Sequence, residues 1–438
     1  MNMSKFQIIV LAFFVVCIVT GVIFFATYKG SNSGGTDSVS ISIWGTFPAD
    51  AFTSYLNKLN LTLPKRISVA YTQKDPGTFS QEFNTAISRG RGPDAILIPA
   101  DMILPQMGVI TPVPYTTLDQ GTFKNNFIQE GEIYFSANGT LAIPFTIDPL
   151  VMYWNRDLFS AYGVATYPKY WDEFSALNKK LTIKDDNGNI RKATIAMGDF
   201  SNVSNARELL ATLMMQLGNP ITVLGSDGTT VSTFKATSYN DPTPAINFFT
   251  QFVNPNSMNY SWNRSMSDSK TAFLSGDLAT YFGFTSELAD IRAKNPNLNF
   301  DVAEIPQARP VTGNTHIVRA TYGRMYGLSL ISSSPNQNIA YQDILILTDP
   351  TNMAILNQAL YLPPANRYAI AAGSNDPYIK VFDVAALVSR TWFDADQSKS
   401  YSIMGNMIDS VTSGRKGVGT AINDAGDQYD VILRSSTQ

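Results

Sequence analysis

The stretch Gly139–Phe159, GTLAIPFTIDPLVMYWNRDLF, puts the tightest constraint on how this chain folds. Two apolar, strand-like runs are interrupted by Pro144 and Pro149. Proline cannot donate to a hydrogen-bond ladder, so the pattern predicts a passage between two structural blocks and not a single central strand. Asp148 sits inside the passage, flanked by Phe145, Ile147, Leu150 and Met152, so alternation presents one carboxylate from an otherwise apolar crossover. The rest of the chain reads as two lobes hung on this passage. Its 438 residues exceed what one ordinary core organises, which points the same way.

Before the passage, strand and helix signals alternate. Val39–Trp44 reads as a strand with Trp44 at its mouth, followed by a helix over Ala49–Leu59, a strand over Ile67–Tyr71 and a helix over Phe79–Ser88. Pro93–Pro99, PDAILIP, has the continuous apolar character of a central strand in a parallel sheet. This is a doubly wound α/β pattern, in which ligands collect at the C-terminal ends of strands. Asp101 follows such an end and reads either as a helix cap or as a ligand contact. Beyond the passage, the spacing predicts an amphipathic helix over Tyr167–Leu181, a strand over Ile195–Val203 that breaks into a loop at Asn202, and a helix over Ala206–Leu217. Tyr260–Arg264 is an aromatic loop containing Trp262, and Ala279–Phe284 is a strand ending in aromatics. Tyr326–Ile331 reads as a strand returning to the first lobe. Asp376–Trp392 and Ile403–Leu433 read as helical. Asn202 serves an Asx-turn or a ligand equally well.

The N-terminus carries a separate signal. Phe6–Tyr28 is an almost unbroken apolar run of the length needed to span a bilayer. It is longer than the core of a cleaved signal, and Cys17 lies too deep within it to be a lipidation site. Residues 1–30 are therefore expected to be a transmembrane signal-anchor, with 31–38 a flexible tether. That implies a single-pass cell-membrane protein whose binding domain is extracytoplasmic, with the lipid bilayer as one partner.

Chemistry is limited by what the chain lacks. Cys17 is the only cysteine and His316 the only histidine, so no intrachain disulfide and no His/Cys zinc cluster can form. His316 itself reads as a structural or surface residue. No nucleophile elbow, HExxH or P-loop is present, and no cofactor is expected. A net charge of -3 gives no basic surface for nucleic acid. Charged residues make up only 15% of the chain while aromatics make up 12%, a balance suited to a neutral, hydroxyl-rich ligand. Trp44, Trp262, Phe284, Tyr322 and Trp392 stand near strand ends, where their faces would stack on sugar C–H surfaces while carboxylates and amides meet hydroxyls. Each also reads as a core residue. A glycosidase needs two opposed carboxylates, and Asp101 with Asp148 leaves that alternative open.

The stretches VSISIWGTF, RGPDAILIPAD, GTLAIPFTIDPLVMYWNRDLF with YPKYWDEF, IAMGDFSNV, AFLSGDLATYFGF with NPNLNFDVAEIPQ, and YGLSLISSSPNQNIAYQDILILT together span Val39 to Leu433 in outline. In combination they resemble the extracellular solute-binding proteins of ABC importers, family 1, the carbohydrate-binding group that includes maltose-binding-like members. The resemblance implies a type II periplasmic-binding-protein-like fold, with residues 39–145 and 326–361 in the first lobe and 146–325 and 362–438 in the second. It implies a monomer that closes on a sugar or oligosaccharide and presents it to ABC permease subunits, without catalysis. In such relatives an acidic residue after the first crossing contacts sugar hydroxyls, which falls on Asp148, and an aromatic after a later strand stacks on the ring, which falls on Phe284. Trp44 and Asp101 match the first-lobe rim. The family usually carries a cleaved lipoprotein signal, from which this chain departs. A sensory or scavenging surface protein, or a peptide or polyamine ligand, fits the same residues.

Overall fold

In the computed structural model, residues 40–225, 229–235, 239–310 and 317–436 are described. The first block follows from simple burial patterns. Strand β1 (Ile41–Gly45) buries Ile41, Ile43 and Gly45 and leaves Ser42 and Trp44 half-buried on the opposite face. Helix α1 (Ala49–Thr62) buries Phe52, Tyr55, Leu56 and Leu59, the i, i+3, i+4, i+7 stripe that seats a helix on a sheet. Each such side chain contributes roughly 1.5–3 kcal/mol when taken out of water. Strand β2 (Val69–Gln73) lies parallel to β1. Helix α2 (Phe79–Ser88) buries Phe79 and Phe83, whose rings stack 5.5 Å apart. Strand β3 (Ala95–Pro99), buried throughout, pairs with the other side of β1, again in parallel.

The second block is built from strands β4 (Ile143–Asn155) and β5 (Ile190–Ile195), helix α3 (Ala206–Gln216), and strands β6 (Leu278–Phe284), β7 (Phe300–Glu304) and β8 (Thr321–Ile331). Helix α4 (Gln337–Leu347) returns to the first block, where the Leu347 carbonyl accepts the Tyr55 hydroxyl, and the two-residue strand β9 (Ser389–Arg390) and helices α5 (Gln397–Thr412) and α6 (Val418–Ser436) complete the second. Among the described residues, eleven strands form one mixed sheet whose main path runs β2–β1–β3–β8–β4–β6–β5, ending on Ile183–Lys184. The result is an α/β fold with one core running through both ends of the sheet.

The passage is one strand, not two. β4 runs for 13 residues and changes partner midway. Its first part pairs antiparallel with β8, ending at Pro149 opposite Gly323. Its second part pairs with β6 from Leu150 onward and with β7 on the other side. Pro149 therefore falls where the ladder is handed from one neighbour to the next. Pro144 lies opposite Gly327, beside a register shift in β8. Both prolines sit where a missing N–H costs least. The return strand β8 begins at Thr321, five residues earlier than the apolar pattern suggested, so Tyr322 lies within the crossing.

Other boundaries move for local reasons. Tyr167–Leu181 is not one helix. Pro168 disfavours a helical Tyr167, and the helical segment starts with a 3-10 turn at Trp171–Glu173, continuing as an α-helix over Phe174–Leu181. The strand expected at Ile195–Val203 ends at Ile195 instead. Its earlier part, Ile190–Lys192, is only partly buried, and the two charges there disguised it. Trp392 lies beyond the helix Pro377–Leu387, in the chain that follows β9.

Among the described residues no helix is long and apolar enough to cross a membrane. The single-pass membrane localisation is corrected on that finding, and the bilayer is withdrawn as a partner. The run Phe6–Tyr28, the tether over 31–38 and His316 lie outside the described residues.

Candidate functional site

Strand β3 delivers Asp101. The chain leaves Pro99 and turns at once into the 3-10 turn Ala100–Met102, which holds Asp101 at the strand's C-terminal end. Its side chain is buried, and Oδ2 accepts the Tyr322 hydroxyl at 2.9 Å and lies 3.4 Å from Arg207 Nη2. Oδ1 has no hydrogen-bond partner among the described residues.

Arg207 and Glu208 open α3. Asn205, in a left-handed backbone conformation with φ 58°, ends the preceding loop and lets the helix begin inward. All of α3 is buried, so its charged pair enters the interior. The Arg207 guanidinium donates to Glu208 at 2.8 Å, to Asp394 at 2.9 Å and to Ser400 Oγ at 3.0 Å, and lies 5.2 Å from the Trp392 ring centre. One cation thus faces three carboxylates. Burial works to raise the Glu208 carboxyl, but Arg207 and Arg324 outweigh it and hold it below the usual range. At Asp394 burial wins over the same arginine and the carboxyl stays high.

The crossing supplies the other half of the network. Asp148 Oδ1 accepts from Thr285 Oγ1 at 2.9 Å and from the Ser286 N–H at 3.0 Å, while Oδ2 accepts from Ser286 Oγ at 2.7 Å. This buried carboxylate therefore ties β4 to the turn after β6. Burial pushes it up, opposed by Arg324, whose Nη1 lies 4.0 Å away. The Arg324 guanidinium stacks 3.7 Å from the Phe284 ring centre. Phe284 meets Tyr322 edge-on at 6.0 Å, and Tyr322 lies 5.1 Å from Trp392. Phe284, Tyr322 and Trp392 form an aromatic row between two guanidinium groups, each capping one end.

Asp101, Phe284, Tyr322 and Trp392 are thus joined by direct contacts, and Asp148 reaches them through Arg324. The other three anticipated residues lie apart from that network. The Trp262 indole N–H donates to Asn202 Oδ1 at 2.9 Å, and the Asn202 amide donates to the carbonyls of Asn263 and Met266. That pair staples two loops, with its polar atoms spent on one another and on loop carbonyls. Trp44 lines a separate cavity of about 580 Å³ with Lys74, whose ammonium lies 4.0 Å from its ring centre. Sequence reasoning missed Arg207, Glu208, Arg324 and Asp394. The readable signal was the Arg-Glu pair in ARELLATLMMQ, a helix otherwise without charge.

Two cavities of about 380 Å³ flank the network. One is lined by Asp101, Met102 and the segment from Asp394 to Ser398. The other is lined by Glu130, Thr391 and Trp392 among others. Glu130 Oε1 accepts the Thr391 N–H at 2.6 Å, and burial pushes its carboxyl up to about 8 against the pull of Arg390. A wider groove of about 560 Å³, lined by Tyr167, Tyr170, Ile305 and Val318, contains none of these groups. Among the described residues no cluster of three or more His, Cys, Asp or Glu is arranged to hold a metal ion.

One mixed α/β sheet whose two ends are joined by a pair of crossing strands is the architecture of the periplasmic-binding-protein-like class. The sequence profile described as bacterial extracellular solute-binding protein matches residues 55–380, well over half of the chain, and the protein belongs to that family. Solved structures agree on the fold. The GacH receptor of Streptomyces glaucescens, determined unliganded and with acarbose, shares 16% identity at a TM-score of 0.66, covering 90% of this chain and 98% of its own. The maltose/maltodextrin-binding domain MalE of Bdellovibrio bacteriovorus, bound to maltotriose, shares 18% identity at 0.65, covering 90% and 100%. The substrate-binding protein Lmo0181 of Listeria monocytogenes, with cycloalternan, shares 16% at 0.66, covering 91% and 99%. No curated protein sequence matches the chain.

Proposed function

We propose that this protein captures a sugar or oligosaccharide at the strand crossing and delivers it to the permease of an ABC importer. The observation that carries the reading is the row Phe284–Tyr322–Trp392 set against a buried carboxylate, Asp101, with an unused acceptor. Aromatic faces suit sugar C–H surfaces, and a buried acceptor without a donor costs free energy that a ligand hydroxyl recovers. The sugars and sugar mimics bound by GacH, MalE and Lmo0181 support the same class for this chain.

In this reading the architecture is type II, with residues 39–145 and 326–361 as one lobe and 146–325 and 362–438 as the other. β4 and β8 act as the hinge, and the aromatic row becomes accessible when the lobes part. Asp101, Phe284, Tyr322 and Trp392 face the ligand; Asp148 holds the hinge turn beside it. Trp44, Asn202 and Trp262 support the lobes. The test is calorimetric titration of the purified protein with a panel of neutral mono- and oligosaccharides, amino sugars, peptides and polyamines. Saturable binding of at least one saccharide is expected. Binding confined to peptides or polyamines overturns the carbohydrate reading.

A further inference from the structure

Of the aromatic row and the two guanidinium groups that cap it, only Arg324 reaches solvent. Its side chain is 33% exposed, and it is the one residue of β8 that is not buried. Phe284, Tyr322 and Trp392 are buried, and the Arg207 side chain is 5% exposed. The two arginines also differ in what they bond. Arg207 donates to Glu208, Asp394, Ser400 and Asp101. Among the described residues the Arg324 guanidinium makes no hydrogen bond. Its contacts are the stack on Phe284 at 3.7 Å and the approach of Nη1 to Asp148 at 4.0 Å. Asp148 is satisfied without it, because Thr285 and Ser286 already donate to both of its oxygens.

The charge of Arg324 is matched while its donors are idle. Arg207 and Arg324 hold Glu208 below the usual carboxylate range, so Glu208 is ionised at neutral pH, and Asp148 stands beside Arg324 as well. A ligand carboxylate would give the fork acceptors but would add negative charge next to these two groups. Adjacent hydroxyls on a sugar ring offer two acceptor oxygens side by side with no charge, and a planar guanidinium can donate to both. The Phe284 ring holds the fork flat, which reduces the ordering cost of using it.

We infer that Arg324 is a direct ligand contact, its guanidinium fork donating to two adjacent hydroxyl oxygens of a neutral saccharide. The inference rests on the carbohydrate reading above and deepens it: Arg324 selects a neutral vicinal diol over an acidic sugar, at the one point where the capped row meets solvent.

The test labels the full chain with phenylglyoxal, which modifies accessible guanidinium groups, and maps the sites by peptide mass spectrometry. Calorimetry runs in parallel with glucose, mannobiose and maltotriose, and with glucuronic acid and digalacturonic acid as acidic sugars. In the free protein Arg324 should be labelled and Arg207 spared. At least one neutral saccharide should bind, more tightly than either acid, and should suppress labelling of Arg324 while the exposed Arg191 is modified as before. Arg324→Lys keeps the charge beside Asp148 and Glu208 but loses the fork, so affinity should fall by about tenfold or more, with circular dichroism unchanged. Wild-type affinity in that variant overturns the inference, since protection would then come from lobe closure alone. If the variant does not fold, the wild-type labelling and the comparison with the acids decide. Resistance of Arg324 to the reagent in the free protein, saccharide binding that leaves its labelling intact, or tighter binding of an acid each overturns the inference while the carbohydrate reading stands. Failure of every saccharide to bind, here and in the wider panel above, overturns both.

Discussion

Glu130 shows how a single side chain can make stability depend on pH. It lies on the 3-10 segment Gln129–Tyr134 and accepts the Thr391 N–H, so it joins the first block to the chain beyond β9. Arg390 Nη1 stands 3.8 Å away and Glu132 and Tyr134 lie nearby, yet burial dominates and the carboxyl rises from 4.5 to about 8. A carboxyl raised in the folded state keeps its proton after the unfolded chain has lost it. Its contribution is therefore complete below about pH 4.5, declines as pH rises, and is exhausted above about pH 8. The amount is on the order of a few kcal/mol. Glu130→Gln retains an acceptor for Thr391 and removes the titration. Urea unfolding from pH 5 to pH 8 should then decline less steeply for the variant than for the wild type. Asp148 and Asp394, also raised by burial, add slopes of the same sign to both proteins and cancel in the comparison. Parallel curves would mean Glu130 is ionised in the folded state.

At the scale of elements, the crossing depends on a pairing of prolines with glycines. Pro149 faces Gly323 and Pro144 faces Gly327 across the β4–β8 ladder. A Cβ at Gly327 would meet the Tyr134 ring and hydroxyl at 2.7 Å and Ala142 at 2.8 Å. Tyr134 cannot readily yield, because its hydroxyl is bonded to the Met325 carbonyl. Gly327→Ala should therefore destabilise by about 1–3 kcal/mol through overpacking, read as a lower urea midpoint at unchanged slope. An unaltered midpoint would show that Tyr134 moves freely. The same ladder explains what was legible in the sequence. Asp148, Pro149 and the apolar runs announced a passage between blocks, and PDAILIP announced the central strand that presents Asp101. The prolines suggested a break because the local rule for proline assumes one constant neighbour, whereas β4 exchanges β8 for β6 at Pro149. Arg207 and Glu208 passed as ordinary helix charges, since only tertiary packing reveals that every side of α3 is covered. Trp262 and Asn202 looked like ligand groups for the converse reason. Their polar atoms find each other across 60 residues, a distance no local pattern records.

For the whole molecule, the question is whether a ligand at the crossing binds the two blocks into one cooperative unit. The network spans them: Asp101 at the end of β3 touches Arg207 on α3 and Tyr322 on β8, and Asp148 on β4 holds the turn after β6. A saccharide seated there would contact both blocks and would be released only when they part. Ligand at one hundred times its Kd stabilises the bound state by about 2.7 kcal/mol. With an unfolding entropy near 2.1 cal/mol/K per residue and roughly 400 residues in the folded body, that corresponds to a rise in Tm of about 3 °C. Calorimetry should show a single transition moving upward by this amount, and small-angle scattering should show a smaller radius of gyration at saturation as the lobes close. If the endotherm resolves into two transitions and ligand moves only one, the ligand is held by one block alone. In that case β4 and β8 would serve as fixed connections between the blocks, and the aromatic row would belong to a site that does not bridge them.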